Sequence, residues 1–170
     1  MQLIKYIMLF FVLISSSLLG KYLAKKYSNR LKELEEMKTA LNIFKSKIKF
    51  TYEPIPEIFE EISHEVKGNI GKIFENAKKK MENSTANVSW EESVDEVATN
   101  LNNEDRYIIK TLSKLLGQID IEGQISQIDI TQSFIETQIK QANEEKRKNE
   151  RLYSRLGTTI GLVIVIILIW

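Results

Sequence analysis

The chain opens and closes on apolar runs and keeps its charged residues between them. From Tyr6 to Gly20 no side chain is charged, and Leu3 and Ile4 extend the run past Lys5. Fifteen helical residues reach about 22 Å, and with Leu3, Ile4 and the snorkelling of Lys5 and Lys21 the stretch approaches the ~30 Å of a bilayer core. At the other end Leu156 to Trp170 is similarly long, and Leu162 to Ile169 is wholly aliphatic. Tyr153 and Trp170 are placed as interfacial anchors for it. The pattern therefore predicts transmembrane helices over residues 3–23 and 153–170, with a domain of residues 24–152 between them.

Within that domain the apolar positions recur at helical intervals. Leu34, Met37, Leu41, Phe44 and Ile48 alternate steps of three and four, a seam of coiled-coil type. This helix should continue from the first apolar run and stop near Tyr52, because Pro54 disfavours helix at Glu53 and Pro56 follows. A second helix, with proline and glutamates in its first turns, is expected from Pro54 or Pro56 to about Val66. A third carries Ile70, Ile73, Phe74, Ala77 and Met81. Residues 82–89 lack periodicity and read as the main loop. Ser89 followed by Glu92 has the spacing of a capping box, so a fourth helix should open there, carrying Trp90, Val94, Val97, Ala98 and Leu101. After a turn at Asn102-Asn103 a fifth helix carries Ile108, Ile109, Leu112, Leu115 and Leu116, with Gly117 as its C-cap. The last helix begins after Asp120 or Gly123, follows the seam Ile121, Ile125, Ile128, Ile135 and Ile139, and runs into the second apolar end. The fold class is all-α, an antiparallel bundle of about six helices flanked by two transmembrane helices.

Charge adds orientation. The net charge is only +1, yet Lys21, Lys25, Lys26, Arg30 and Lys32 follow the first apolar run, and Lys146, Arg147, Lys148, Arg151 and Arg155 precede the second. Residues 33–145 hold 13 basic and 22 acidic side chains, a net −9. An acidic middle argues against a nucleic-acid partner, which needs clustered cations. Both basic clusters lie on the side of the domain, so the positive-inside rule predicts a cytoplasmic domain in a two-span cell-membrane protein. The alternatives are a two-span sensor and an exported helical bundle with a cleaved leader.

The search for chemistry returns little. There is no cysteine, which excludes disulfides and thiol nucleophiles. His64 with Glu65 lacks the second histidine of a zinc helix motif, and no glycine-rich phosphate loop or nucleophile elbow occurs. Carboxylate neighbours such as Glu60 with Glu61 read as solvated helix faces. No catalytic, metal-binding or cofactor-binding residue is assigned, no cofactor is expected, and the chain is not expected to be an enzyme.

The order of several short marks resembles the stage III sporulation protein AB family of endospore-forming bacteria. These are the first apolar run with its basic helix, Tyr52-Glu-Pro-Ile-Pro-Glu-Ile-Phe, Trp90 after a variable loop, Asp105, the run Leu112 to Gly117, Asp120, Gly123-Gln124 and the apolar C-terminal run. The resemblance covers nearly the whole chain, and none of its marks is catalytic. It implies a head similar to the helical F domain of type II secretion and type IV pilus platform proteins. It also implies a scaffold in a sporulation complex that joins mother cell and forespore, located in the mother-cell membrane around the forespore. The implied partners are the complex's cytoplasmic secretion-type ATPase and its other membrane subunits; whether the chain also forms a homo-oligomer is left open by the sequence. Tyr52, Pro54, Pro56, Trp90, Asp105, Gly117 and Asp120 are the structural or interaction candidates that follow.

Overall fold

A computed structural model describes residues 2–51, 53–116 and 120–169. Every regular element among them is helical. In chain order these are α1 (Gln2–Phe50), α2 (Ile55–Glu65), α3 (Gly68–Lys80), α4 (Ala86–Glu96), α5 (Asn103–Lys110), a 3-10 turn (Thr111–Leu115) and α6 (Ile121–Ile169). The chain divides into two compact units, residues 32–140 and residues 1–31 with 141–170.

In the 32–140 unit, the expected seam of α1 is the inner face. Leu34, Met37, Leu41, Phe44 and Ile48 are all buried. The helix makes its last backbone bond from Thr51 N to Lys47 O at 2.9 Å, three residues short of Pro54. Pro54 then caps α2: its carbonyl accepts the backbone N–H groups of Glu57 and Ile58, both at 3.1 Å. Pro56 occupies the first turn, where a missing N–H costs nothing. Ile58, Phe59 and Ile62 form the buried face of α2, and Ile70, Ile73, Phe74 and Ala77 that of α3.

The link between α2 and α3 is a corner of two residues. Val66 is extended, and Gly68 opens α3 at φ +83°, a left-handed value that favours glycine. A Cβ at Gly71 would lie 1.8 Å from the carbonyl oxygen of Val66. The helices meet at this corner because position 71 carries no side chain.

The capping box expected at Ser89 is not formed. Helix α4 begins a turn earlier, at Ala86, with Thr85 as N-cap. Ser89 is fully buried on the inner face beside Trp90 and Ser93. Its N–H already serves the helix, bonding Thr85 O at 2.9 Å. Glu92 bonds Lys80 instead. A serine facing a core cannot also cap from outside it. Ala98, expected inside, is exposed past the end of α4. The box that does form is Asn102 with Asp105. The Asn102 side chain accepts the Asp105 N–H at 2.8 Å, and the Asp105 carboxylate accepts the Asn102 N–H at 3.0 Å.

The seam of α6 departs from the isoleucine pattern. Ile128 and Ile135 are buried as expected, but Ile121 is exposed and Ile125 and Ile139 are only partly covered. The missing positions are polar. Thr131 and Gln138 are buried, and 128, 131, 135, 138 and 142 continue the three-four alternation. Outward-facing Ile130 and Phe134 stand one turn apart on the exposed side.

Candidate functional site

Helix α4 carries Trp90 into an aromatic cluster centred on Phe59. The Trp90 ring lies 4.9 Å from that of Phe74 and 5.4 Å from that of Phe59, which in turn meets Phe44 at 5.4 Å. The indole N–H would be stranded there without a partner, and it donates to the carbonyl of Ile109 at 2.9 Å. Trp90 thus joins α4 to α2, α3 and α5 through one side chain, and Phe59 links that cluster to α1. Asp105 is fully buried in the first turn of α5 as the reciprocal cap described above. Asp120 plays a simpler version of that role for α6, with its carboxylate accepting the Gly123 N–H at 2.9 Å. Pro54 and Pro56 open α2. Tyr52 and Gly117, also singled out in the sequence, lie outside the described residues. The described candidates stand on separate elements, each with a local task, and do not line a common cleft. A notch in this unit, bounded by Phe44, Ile48, Leu112, Leu116, Gln124, Gln127 and Ile128, has a volume of about 10 Å³, barely enough for one water.

One buried, heavily bonded polar group of this unit leaves no trace in the periodicity. Glu33, one residue before the seam of α1, is buried. Its carboxylate accepts from Asn69 Nδ2 at 2.8 Å, the Asn100 backbone N–H at 2.6 Å and Asn100 Nδ2 at 2.8 Å. It ties α1 to the start of α3 and to the link between α4 and α5. The only hint in the sequence is an acid beside an otherwise apolar seam together with asparagines at chain reversals.

The outer surface of the unit is laced with ion pairs. Lys80 bridges Glu92 and Glu96 at 2.6 and 2.8 Å, and these carboxylates hold its ammonium pKa above the ordinary value. Lys78 bonds Glu60 and Lys38 bonds Glu136, each lowering its partner's carboxyl pKa. Lys47 bonds Glu61, which raises the lysine pKa. His64 is exposed. Among the described residues no group of three or more histidine, aspartate or glutamate side chains could hold a metal ion.

The other unit is an antiparallel helix pair with a close contact. A Cβ on Gly20 would lie 2.6 Å from Tyr153 O and 3.0 Å from Gly157 Cα, and one on Gly157 would lie 2.8 Å from Ser16 O. Ser16 Oγ donates to the Gly157 carbonyl at 2.6 Å. Gly161 meets Ser16 and Leu13 one turn on. Ser16-x3-Gly20 and Gly157-x3-Gly161 are small-x3-small spacings in apolar runs, a signal of close helix packing that the sequence reading passed over. Toward the domain side Tyr27 stacks on Tyr153, with centroids 5.9 Å apart, and Arg30 pairs with Glu145 at 2.7 Å. Outside this seam the side chains are apolar and exposed: Phe10, Phe11, Leu18, Leu19, Ile160, Ile166 and Ile167 all project outward. Among the described residues, one helix, α1, is long and apolar enough by composition to cross a membrane.

Comparison with known proteins agrees along the whole chain. The family model described as Stage III sporulation protein AB matches residues 5–169. The Stage III sporulation protein AB of Bacillus subtilis (strain 168) is 21% identical over 162 residues, covering 93% of this chain and 95% of that protein. A solved structure of a Stage III sporulation protein AB shares the fold with a TM-score of 0.64 at 17% identity, covering 71% of this chain and 98% of that one.

Proposed function

The chain belongs to the stage III sporulation protein AB family, and from that premise we propose that it is a non-catalytic membrane scaffold of a secretion-like sporulation complex. In this proposal α1 and α6 each cross the membrane once, through residues 3–23 and 153–170. Residues between them face the cytoplasm of the mother cell. The head docks the complex's secretion-type ATPase and meets other membrane subunits.

One observation carries the proposal: the contact of Ser16, Gly20 and Gly157 pairs two apolar helices whose outer faces are exposed. In water such a pair would expose a wide apolar surface, whereas in lipid the same surface is solvated and the small residues supply close packing. A hydroxyl spent on a helix carbonyl suits the same setting. The cations that follow the first run and precede the second favour the cytoplasmic side for the head. For docking, the exposed pair Ile130 and Phe134 offers an apolar patch on a surface otherwise organised by ion pairs.

The test exploits the absence of cysteine. A single cysteine replacing exposed Ser84 should resist an impermeant thiol reagent on intact cells and react after lysis. Reaction in intact cells would place the head outside and end the proposal. With the topology supported, Phe134→Ala should weaken capture of the ATPase by the full chain in detergent; unchanged capture would remove α6 from the docking surface.

A further inference from the structure

The two helices of the 1–31 and 141–170 unit carry a row of cations whose placement their pairing determines. Lys21, Lys25, Arg147, Arg151 and Arg155 are all exposed. Among the described residues none of the five takes part in an ion pair, whereas eight lysines of the 32–140 unit do. Arg147, Arg151 and Arg155 are spaced four residues apart on α6, so their side chains are neighbours on one face. Like charges at that spacing repel and weaken a helix unless an anion lies between them.

The seam fixes which way the rows face. Counted around the helix from Gly20, Lys21 and Lys25 lie about 100° and 140° away; counted in the same sense from Gly157, the three arginines lie at about 80° to 160°. In an antiparallel pair, equal offsets of equal sign fall on the same side. The contacts of Gly20 with Gly157 and Tyr153 also set the level along the axis: position 21 is level with about 155 and position 25 with about 151. Glu144 prolongs the row at its far end, and Glu150 falls toward the seam. The row starts where the apolar runs stop and climbs about 12 Å from Arg155 to Arg147. A headgroup layer is about 5–8 Å thick and surface potential extends a further 8–10 Å at cellular salt, so the whole row lies within reach of lipid phosphate.

We propose that Lys21, Lys25, Arg147, Arg151 and Arg155 form a two-helix clamp for the phosphates of anionic phospholipids, which neutralise the row and brace the helix pair. The inference rests on the membrane-hairpin proposal and deepens it by naming the lipid class. Arginine suits this role because its planar fork bonds phosphate oxygens in pairs.

The test uses the full chain extracted in a mild non-ionic detergent. Its thermal midpoint is followed while phosphatidylglycerol, phosphatidylcholine or soluble glycerol phosphate is added. Phosphatidylglycerol should raise the midpoint by several degrees and phosphatidylcholine should not. The lipid that co-purifies should be enriched in phosphatidylglycerol about tenfold over the bulk membrane. Arg147→Gln/Arg151→Gln/Arg155→Gln should lose both effects. The corresponding triple lysine variant keeps the charge and should retain most of them, which separates charge loss from misfolding. Equal shifts with both lipids, an undiminished response in the glutamine variant, or an equal shift with glycerol phosphate would each overturn the clamp. Alkaline extraction of the native chain tests the hairpin separately: a chain that stays in the membrane but retains no anionic lipid defeats the clamp alone, and a chain released by alkali defeats the hairpin itself.

Discussion

Glu33 receives two hydrogen bonds from Asn100, one from its backbone N–H at 2.6 Å and one from its side-chain amide at 2.8 Å. A third comes from Asn69. A carboxylate offers only acceptor sites, and every partner here is a donor, so an amide of the same shape does not replace it. Glu33→Gln turns one acceptor into a donor facing a donor. It should destabilise the 32–140 unit by about 2–3 kcal/mol, the scale of a charge-assisted bond plus an unpaired group. Denaturant unfolding of the full chain in micelles, followed by tryptophan emission, measures it; a change under about 0.5 kcal/mol would show that the lock contributes little.

Trp90 allows two components to be separated. Trp90→Ala removes a fully buried ring of the aromatic cluster and should cost about 3–5 kcal/mol. Trp90→Phe keeps most of the ring and removes the indole bond to the Ile109 carbonyl, which retains the Thr111 backbone N–H as a donor, and should cost about 1 kcal/mol. Equal losses in the two variants would mean that the hydrogen bond, not the packing, dominates.

Thr131 points the other way. Its hydroxyl is buried in the seam of α6 and has no hydrogen-bond partner among the described residues. Thr131→Val has nearly the same shape and removes that uncompensated group, so it should stabilise the chain by about 1 kcal/mol. A loss of stability in the same unfolding assay would reveal a bond that this hydroxyl makes after all.

Gly157 leaves no room. Gly157→Leu should push α1 and α6 apart in the apolar pair. With cysteines replacing Tyr27 and Tyr153, whose rings stack in the native pair, a short bifunctional thiol reagent should cross-link the parent in high yield. The leucine variant should cross-link poorly. Undiminished yield would show that the helices meet elsewhere.

The ion pairs of the head set a pH window. Lys78 and Lys38 depress the carboxyl pKa values of Glu60 and Glu136, so those pairs stabilise the fold above the ordinary carboxylate range and fade as pH falls through the lowered values. Lys80 and Lys47 are shifted upward; their contribution is complete below the ordinary lysine range and fades as pH rises through the raised values. All these pairs are at least partly exposed to solvent, so each contributes little. The thermal midpoint should be flat across neutral pH and decline toward both extremes. A midpoint that changes steadily between about pH 6 and 9 would point to a different titrating group.

Much of the architecture was legible because core helices leave a regular apolar trace. The seam from Leu34 to Ile48, the stop before Pro54 and the inner faces of α2 and α3 followed from spacing and proline chemistry alone. What escaped was polar. Thr131 and Gln138 occupy buried seam positions that an apolar template assigns to solvent. Ser89 matched a capping pattern while serving as a core residue, because a pattern records spacing and not the direction a side chain faces. Asn102 with Asp105 formed the real cap with residues outside the usual serine-glutamate box. Glu33 depends on Asn69 and Asn100, 36 and 67 residues away, and a local window does not join residues so far apart.

The corner at Gly71 has a consequence for how this sequence can vary through descent. A Cβ 1.8 Å from the Val66 oxygen cannot be accommodated by turning a rotamer, since the atom in the way is backbone. Even alanine forces α2 and α3 to part. Gly68 is less constrained, because left-handed backbone also admits asparagine and the nearest atoms to its missing Cβ belong to the flexible carboxylate of Glu36 at 3.6 Å and beyond. Lineages that keep this corner are therefore held to glycine, or at some strain asparagine, at position 68 and fixed at position 71, and a relative with any other residue at 71 has folded its second and third helices along a different path.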